Sequence, residues 1–273
     1  MSGVPEIFDR AAVRRHRERA ARMVERVAPV LGEAAGRLIE RLDDTTRKFR
    51  LALDLGGRGV VAPRLRARGI AVVSADLSLR MAARNGPLAV AADEEWLPFG
   101  RAAFDLVTAN LSLHWVNDLP GTLVQIRSTL KPDGLFLASL PVLGTLDVLR
   151  AALAAAEAEL CGGAAPRVSP FPSLRDCAAL LQRTGFAAPV ADLERVVLAY
   201  ADPLAVLHDL RAAGETNAVR LRDRRPPPRA LFPAALARLP VQDGKILLDL
   251  SIAMLTGWAP SAPPSASGRA VAG

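Results

Sequence analysis

From residue 51 onward the chain sets short apolar runs between longer mixed segments. LALDL (51–55), IAVVSAD (70–76), LAVAAD (88–93), FDLVTANL (104–111) and GLFLASLP (134–141) are near-continuous apolar stretches. They lack the in–out alternation of a half-solvated sheet, so they read as strands buried on both faces. The intervening stretches at 60–68, 78–84 and 119–130 can hold helices. Buried strands alternating with helices predict a parallel sheet covered on both sides. Lys131-Pro132-Asp133-Gly134 predicts a turn that stops one helix and launches the next strand.

The flanks follow other periods. Residues 6–46 repeat Ala, Val and Leu every three or four positions between charges, which predicts helix. Helical spacing returns at 145–160, at 173–186 with Gly185 as the stop, and at 201–215. VADLERVVLAY (190–200) predicts a strand, and 223–233 a proline-stiffened basic connection. GKILLDLSIAMLTGW (244–258) fits a final strand, with a helix as the open alternative. Four segments result: an N-terminal helical part at 1–46, a core at 47–143, a helical elaboration with the last strands at 144–260, and a tail at 261–273 expected to be disordered.

Composition narrows the function classes. The 273 residues are 51% hydrophobic and carry a net charge of +7, but nearly all the basic residues are arginine. Together with abundant Ala, Gly and Pro, that skew points to GC-rich codons, so the charge is not read as a nucleic-acid footprint. Cys161 and Cys177 form no CxxC, which suits a reduced, bacterial-type cytoplasm. His16, His114 and His208 lie far apart in sequence and suggest no metal site. No apolar stretch is long enough to span a bilayer, and peripheral association with a membrane complex stays open.

The chemistry gathers at the predicted carboxyl ends of the strands. Asp54 is followed by Gly56, Gly57 and Gly59, a turn that lets backbone approach a ligand without a Cβ in the way. Asp76 ends the second run, placed to accept from a ribose diol, and Asp93 ends the third, placed to accept from an adenine amine. Asn110 through Trp115 follow the fourth. The dinucleotide fingerprint G-x-G-x-x-G does not fit this G-G-x-G spacing, so a cofactor with one nucleoside and no phosphate fits better. S-adenosylmethionine is such a cofactor.

On these residues the chain resembles the class I S-adenosylmethionine-dependent methyltransferases, in the branch that holds malonyl-carrier-protein methyltransferases and the mitochondrial complex I assembly factor 5. LDLGGRG stands where that branch has LDLGCGRG. ADLS (75–78), ADEEWLPF (92–99), LSLHWVNDLP (111–120) and LKPDG (130–134) match it, as do SPF (169–171), DLRAAGETNA (209–218) and TGWAP (256–260). The resemblance implies a Rossmann-like seven-stranded, mostly parallel sheet with its last strand antiparallel. It also implies roles: Asp54, Gly56, Gly57 and Gly59 flank the methionyl part, Asp76 holds the ribose, and Met81 packs on adenine. Asp93 and Glu94 meet the adenine edge, and Asn110 and Leu111 line the sulfonium side. His114 and Trp115 stand at the substrate entrance. His114 can take a proton from an acceptor, or instead make a structural hydrogen bond beneath Trp115. Trp96 and Trp115 are expected to wall the pocket.

Two departures stand out. The glycine loop is one residue short, and Val142-Leu143-Gly144-Thr145-Leu146 lacks an acid common in the assembly-factor group. The expected function is methyl transfer to a small carboxylate, a carrier-linked acid or a protein side chain. The alternatives are an assembly factor that hydroxylates an arginine of a respiratory subunit, or a non-catalytic partner whose cofactor loop has decayed.

Overall fold

The computed structural model describes residues 5–261, so most of the tail expected to be disordered lies outside the described residues. Five strands follow the apolar runs: β1 (Leu51–Leu55), β2 (Ala71–Asp76), β3 (Ala89–Ala91), β4 (Phe104–Asn110) and β5 (Leu130–Pro141). The helices α3 (Val61–Ala67), α4 (Leu79–Ala83) and α5 (Leu119–Thr129) alternate with them. Ahead of the sheet lie α1 (Arg10–Ala20) and α2 (Ala28–Glu40), divided by a tight turn with Pro29 in the first turn of α2. After it come α6 (Asp147–Cys161), α7 (Leu174–Arg183), β6 (Ala187–Tyr200), α8 (Pro203–Ala213), α9 (Leu231–Leu236), β7 (Val241–Gln242) and β8 (Lys245–Trp258).

The sheet runs β3-β2-β1-β4-β5-β8-β6, with β7 paired to β8. The first five strands are parallel, and β8 is antiparallel to both β5 and β6. Seven strands thus stand in the expected mixed sheet. The eighth, β7, is a two-residue arm folded back on β8 through Asp243 and Gly244. The 244–258 ambiguity resolves as strand because its side chains alternate between two cores. Ile252 and Met254 join Leu31, Leu38 and Leu65 on one face; Ala253 and Leu255 join Leu123, Ile126 and Leu181 on the other. Leu106 and Val107, like Leu135 and Phe136, divide in the same way.

Two details differ from the sequence expectation. Lys131–Gly134 forms a bulge inside β5 rather than a turn before it: Leu130 pairs with Phe104, and pairing resumes at Leu135 opposite Leu106. Asp133 takes the left-handed φ of 59° that the extra residues require. The proline-stiffened connection carries α9, whose Leu231, Ala235 and Leu236 are buried.

Two features position the site. The sheet order reverses between β1, flanked by β2, and β4, and such a switch point opens a crevice at the carboxyl ends of the strands. In addition, β6 and β8 run on past the end of β5. Ile252 lies opposite Pro141, whereas β6–β8 pairing continues to Tyr200 opposite Ile246. That two-strand extension carries its own apolar cluster, with Leu149, Leu153, Val206, Leu231, Leu236 and Leu248, and forms a helical cap over the carboxyl edge.

Candidate functional site

The end of β1 delivers Asp54 beneath the glycine loop. A Cβ on Gly57 would lie 2.0 Å from Asp54 Oδ2, so only glycine fits there without displacing the carboxylate. Gly56, Arg58 and Gly59 all have left-handed φ, at 65°, 50° and 86°. The loop is tied down by Gly56 N donating to Ala75 O (2.8 Å) and Gly59 N donating to Asn85 Oδ1 (2.6 Å). Asp54 Oδ1 accepts from Thr108 Oγ1 at 3.2 Å. Its Oδ2 is buried without a partner among the described residues.

Asp76 ends β2 alongside. Its Oδ1 accepts from Ser78 N (2.9 Å), while its Oδ2 is likewise buried and unpartnered. Burial pushes Asp54 up to about 7, partly offset by the Thr108 hydroxyl and reinforced by Asp76. Burial also pushes Asp76 up to about 6, opposed by Arg17 and reinforced by Glu94. Ser78 caps α4 by accepting from Met81 N (3.1 Å), which holds Met81 fully buried beside the loop.

Asp93 and Glu94 stand across the site and both bind Arg10 of α1. Arg10 Nη2 is 2.6 Å from Asp93 Oδ1, Glu94 completes the clamp, and Arg10 Nη1 donates to Trp115 O at 2.9 Å. The acids expected at an adenine edge therefore also fasten the N-terminal helix over the strand ends. Asn110 turns its side chain into the scaffold, donating to Leu31 O (3.0 Å) and accepting from Ser139 Oγ (2.8 Å). It offers the site only its backbone carbonyl, and the Leu111 carbonyl lies beside it.

Those carbonyls meet Arg58. The guanidinium of this buried side chain contacts the oxygens of Gly56, Asn110, Leu111 and Ala213 and pairs with Glu215 Oε1 at 2.9 Å. Burial and the nearby Arg17 bring Arg58 down to about 10, so it stays a cation at neutral pH. Glu215 Oε2 in turn receives His114 Nε2 and Trp115 Nε1, each at 2.7 Å. Burial would raise this carboxylate, but His114, Arg58 and Arg17 hold it well below the usual range. His114 and Trp115 thus share one acceptor, and Phe8 packs edge-on against the indole.

A cavity of about 680 Å³ opens between this network and the cap. Leu111, His114, Trp115 and Arg58 line it, with Phe171, Leu149 and Leu198 supplying apolar wall. Asp54, Asp76, Met81, Asp93 and Glu94 do not line it; all but Asp93 are buried, and Arg10 of α1 closes over Asp93 and Glu94. One expectation needs correcting. Trp96 is 80% exposed and walls no part of the cavity, because the 93–96 turn points it outward. His16 and His208, far from His114 in sequence, line the same cavity.

Sequence reasoning missed Arg10, Arg17, Arg58 and Glu215. Arg10 and Arg17 are seven residues apart on α1, a spacing that puts both on one helix face, and that face meets the acids. Arg58 stood inside the glycine loop itself, and Glu215 inside the DLRAAGETNA block.

The sheet order and the site at its switch point define a class I methyltransferase fold. A solved structure of the YcgJ protein from Bacillus subtilis shares it with a TM-score of 0.57 at 15% identity, covering 84% of this chain and 99% of that one. The 1,6-didemethyltoxoflavin-N1-methyltransferase of Burkholderia thailandensis gives a TM-score of 0.51 at 20% identity, covering 92% and 88%. Residues 14–188 match the methyltransferase-domain family, and the chain belongs to it. Two kinds of curated relative extend over nearly the whole length. The mitochondrial arginine-hydroxylase NDUFAF5 of Danio rerio is 34% identical over 97% of this chain and 87% of its own, and that of Homo sapiens is 37% identical over 92% and 76%. The malonyl-[acyl-carrier protein] O-methyltransferase of Xylella fastidiosa is 34% identical over 94% and 90%.

Proposed function

We propose that the chain is an S-adenosylmethionine-dependent methyltransferase whose acceptor occupies the cavity beneath the helical cap. The observation that carries this reading is Asp76: a buried carboxylate at the end of β2, with one oxygen anchored by Ser78 and the other without a partner. A buried polar atom without a partner is costly, and a ribose hydroxyl is a donor that would satisfy it. When bound, the cofactor supplies an electrophilic methyl group. Asp76 would hold the ribose, Met81 would pack against the base, and the Gly56–Gly59 loop would border the methionyl end. Residues 47–143 would then bind the cofactor, and 144–260 would shape the acceptor site.

The acceptor is a small molecule, a carrier-linked acid or a protein side chain; no nucleic acid is assigned. Among the described residues no helix is long and apolar enough to cross a membrane. We place the protein in a bacterial-type cytoplasm, in keeping with two free cysteines and the bacterial methyltransferase relatives.

A second reading, modification of an arginine side chain in a protein partner, has one specific support. Glu215 and four backbone carbonyls make a cage that already holds a guanidinium, that of Arg58. Calorimetry with S-adenosylmethionine and its homocysteine product tests the first reading. Binding of both is expected, and no heat with no thermal shift at high ligand would overturn it. Mass spectrometry of the acceptor separates the two, by a methyl or an oxygen increment.

A further inference from the structure

The atoms around Glu215 fix more than its charge. Trp115 Nε1 can only donate, so the Glu215 Oε2 it meets at 2.7 Å is an acceptor. The same Oε2 lies 2.7 Å from His114 Nε2, which must therefore carry the hydrogen. In a neutral imidazole the lone pair then belongs to Nδ1. That atom is buried and has no hydrogen-bond partner among the described residues. The ring itself borders the cavity, between Leu111 and Arg58 on the loop side and Phe171, whose ring centroid is 6.2 Å away.

We propose that Glu215 is a positioning residue that sets His114 as a proton acceptor, and that the group methylated here must lose a proton: an N–H, O–H or S–H nucleophile rather than a carboxylate. This deepens the methyltransferase reading and rests on it. A carboxylate nucleophile would bring no proton to Nδ1 and would set its own lone pairs against the one there, while the Glu215 charge behind the ring is already paired with Arg58. A proton-bearing acceptor would donate to Nδ1 and in doing so align its own lone pair. In the step, the acceptor lone pair forms the bond to the methyl carbon, and the carbon–sulfur bond breaks with its pair going to sulfur, leaving a neutral thioether. The acceptor proton moves to Nδ1, and the imidazolium is stabilised by the Glu215 carboxylate. The charged groups around this pair are Arg58 on the glycine loop and Arg17 on α1, with Asp76 beyond Arg58. His16, Arg19, Arg167, His208, Asp209 and Arg211 line the rest of the same cavity.

The test needs no bound cofactor. Nitrogen-15 NMR of histidine-labelled full-length protein reports the tautomer of His114, assigned by comparison with His114→Gln. The wild type should show a single form protonated at Nε2, and Glu215→Gln should lose that single form. A wild-type ring protonated at Nδ1, or an unchanged tautomer in Glu215→Gln, would overturn the proposal. Titration of the wild type covers the case in which the variant does not fold. Ethylguanidinium, as an N–H probe, should move the His114 Nδ1 resonance, and propionate, as a carboxylate probe, should leave it in place. The reverse pattern, or no response to either, would overturn the proposal too. Failure of S-adenosylmethionine to bind the wild type in calorimetry would sink the methyltransferase reading instead, so the two failures are distinguishable.

Discussion

Two walls of the same crevice treat their carboxylates in opposite ways. At the ends of β1 and β2, Asp54 and Asp76 each keep one buried oxygen without a partner, and both are pushed up, to about 7 and about 6. Beyond β4, Glu215 collects Arg58, His114 and Trp115 on its two oxygens and is held well below the usual carboxylate range. Burial opposes ionisation on both walls, so the difference lies in the donors. The Glu215 wall is complete and works as a lock between core and cap. The Asp76 wall lacks donors that a hydroxyl-rich ligand would bring.

The sharpest way to break the comparison is to unlock the complete wall. Glu215→Ala leaves the Arg58 cation buried among carbonyls and strips the acceptor from His114 and Trp115. Removing one partner of a buried pair costs roughly 3 kcal/mol or more. Urea melts should show a loss of that size. A loss below about 1 kcal/mol, within the range of a surface ion pair, would mean that the wall is not a lock.

Next in size is the pH dependence of the incomplete wall. Asp54 and Asp76 bind protons more readily folded than unfolded, since both values lie above the ordinary 3.8. Their contribution to stability is therefore full below about pH 4 and is lost as pH rises through about 6 and 7. For Asp76 alone the swing is on the order of 2–3 kcal/mol. Glu215 runs the other way, its contribution present above the ordinary 4.5 and lost as pH falls through its depressed folded value. Unliganded protein should thus gain Tm from pH 8 to pH 5, and Asp76→Asn should raise Tm at pH 8 and flatten that gain. Parallel curves for variant and wild type would show that Asp76 has a partner after all.

The third effect joins that wall to its ligand. Asp76→Ala should weaken S-adenosylmethionine binding at least tenfold, because charge-assisted hydrogen bonds to a carboxylate contribute roughly 1.5–3 kcal/mol. Glu215→Gln should weaken it far less. Equal losses in calorimetry would erase the distinction between the walls.

The two walls also differed in how far the sequence disclosed them. Asp54, Gly56, Gly57, Asp76 and Met81 were legible because strand ends and a glycine turn are local signals, each spelled out within a few residues. Even the length anomaly of the loop was visible, but not its consequence. With φ at 50°, Arg58 sends its side chain inward to oxygens of Asn110, Leu111 and Ala213. The Glu215 wall joins residues about a hundred or more positions apart in the chain, and no periodicity reports such a pairing. Arg10 and Arg17 were hidden for a different reason. In a chain with this many arginines, two more on a helix looked like solvated surface, and only the packing of α1 against α4 and α8 shows that they face acids.

The smallest effect probes how the incomplete wall is held in shape. Ser78 follows Asp76 closely and does two things: its N–H anchors Asp76 Oδ1, and its hydroxyl accepts from Met81 N to start α4. Ser78→Ala keeps the first bond and removes the second. Losing an N-cap side chain costs about 1 kcal/mol, and α4 is only five residues long, so the loss falls on the turn that seats Met81. The hydroxyl also contacts Glu18 of α1, so the helix lying over the site loses one tether. Melts of Ser78→Ala should therefore show a drop near 1 kcal/mol, with a severalfold weaker cofactor and an unchanged His114 tautomer. If the tautomer shifted as well, the two walls would be coupled through α1, and the Asp76 side could no longer be treated as a separate unit awaiting its ligand.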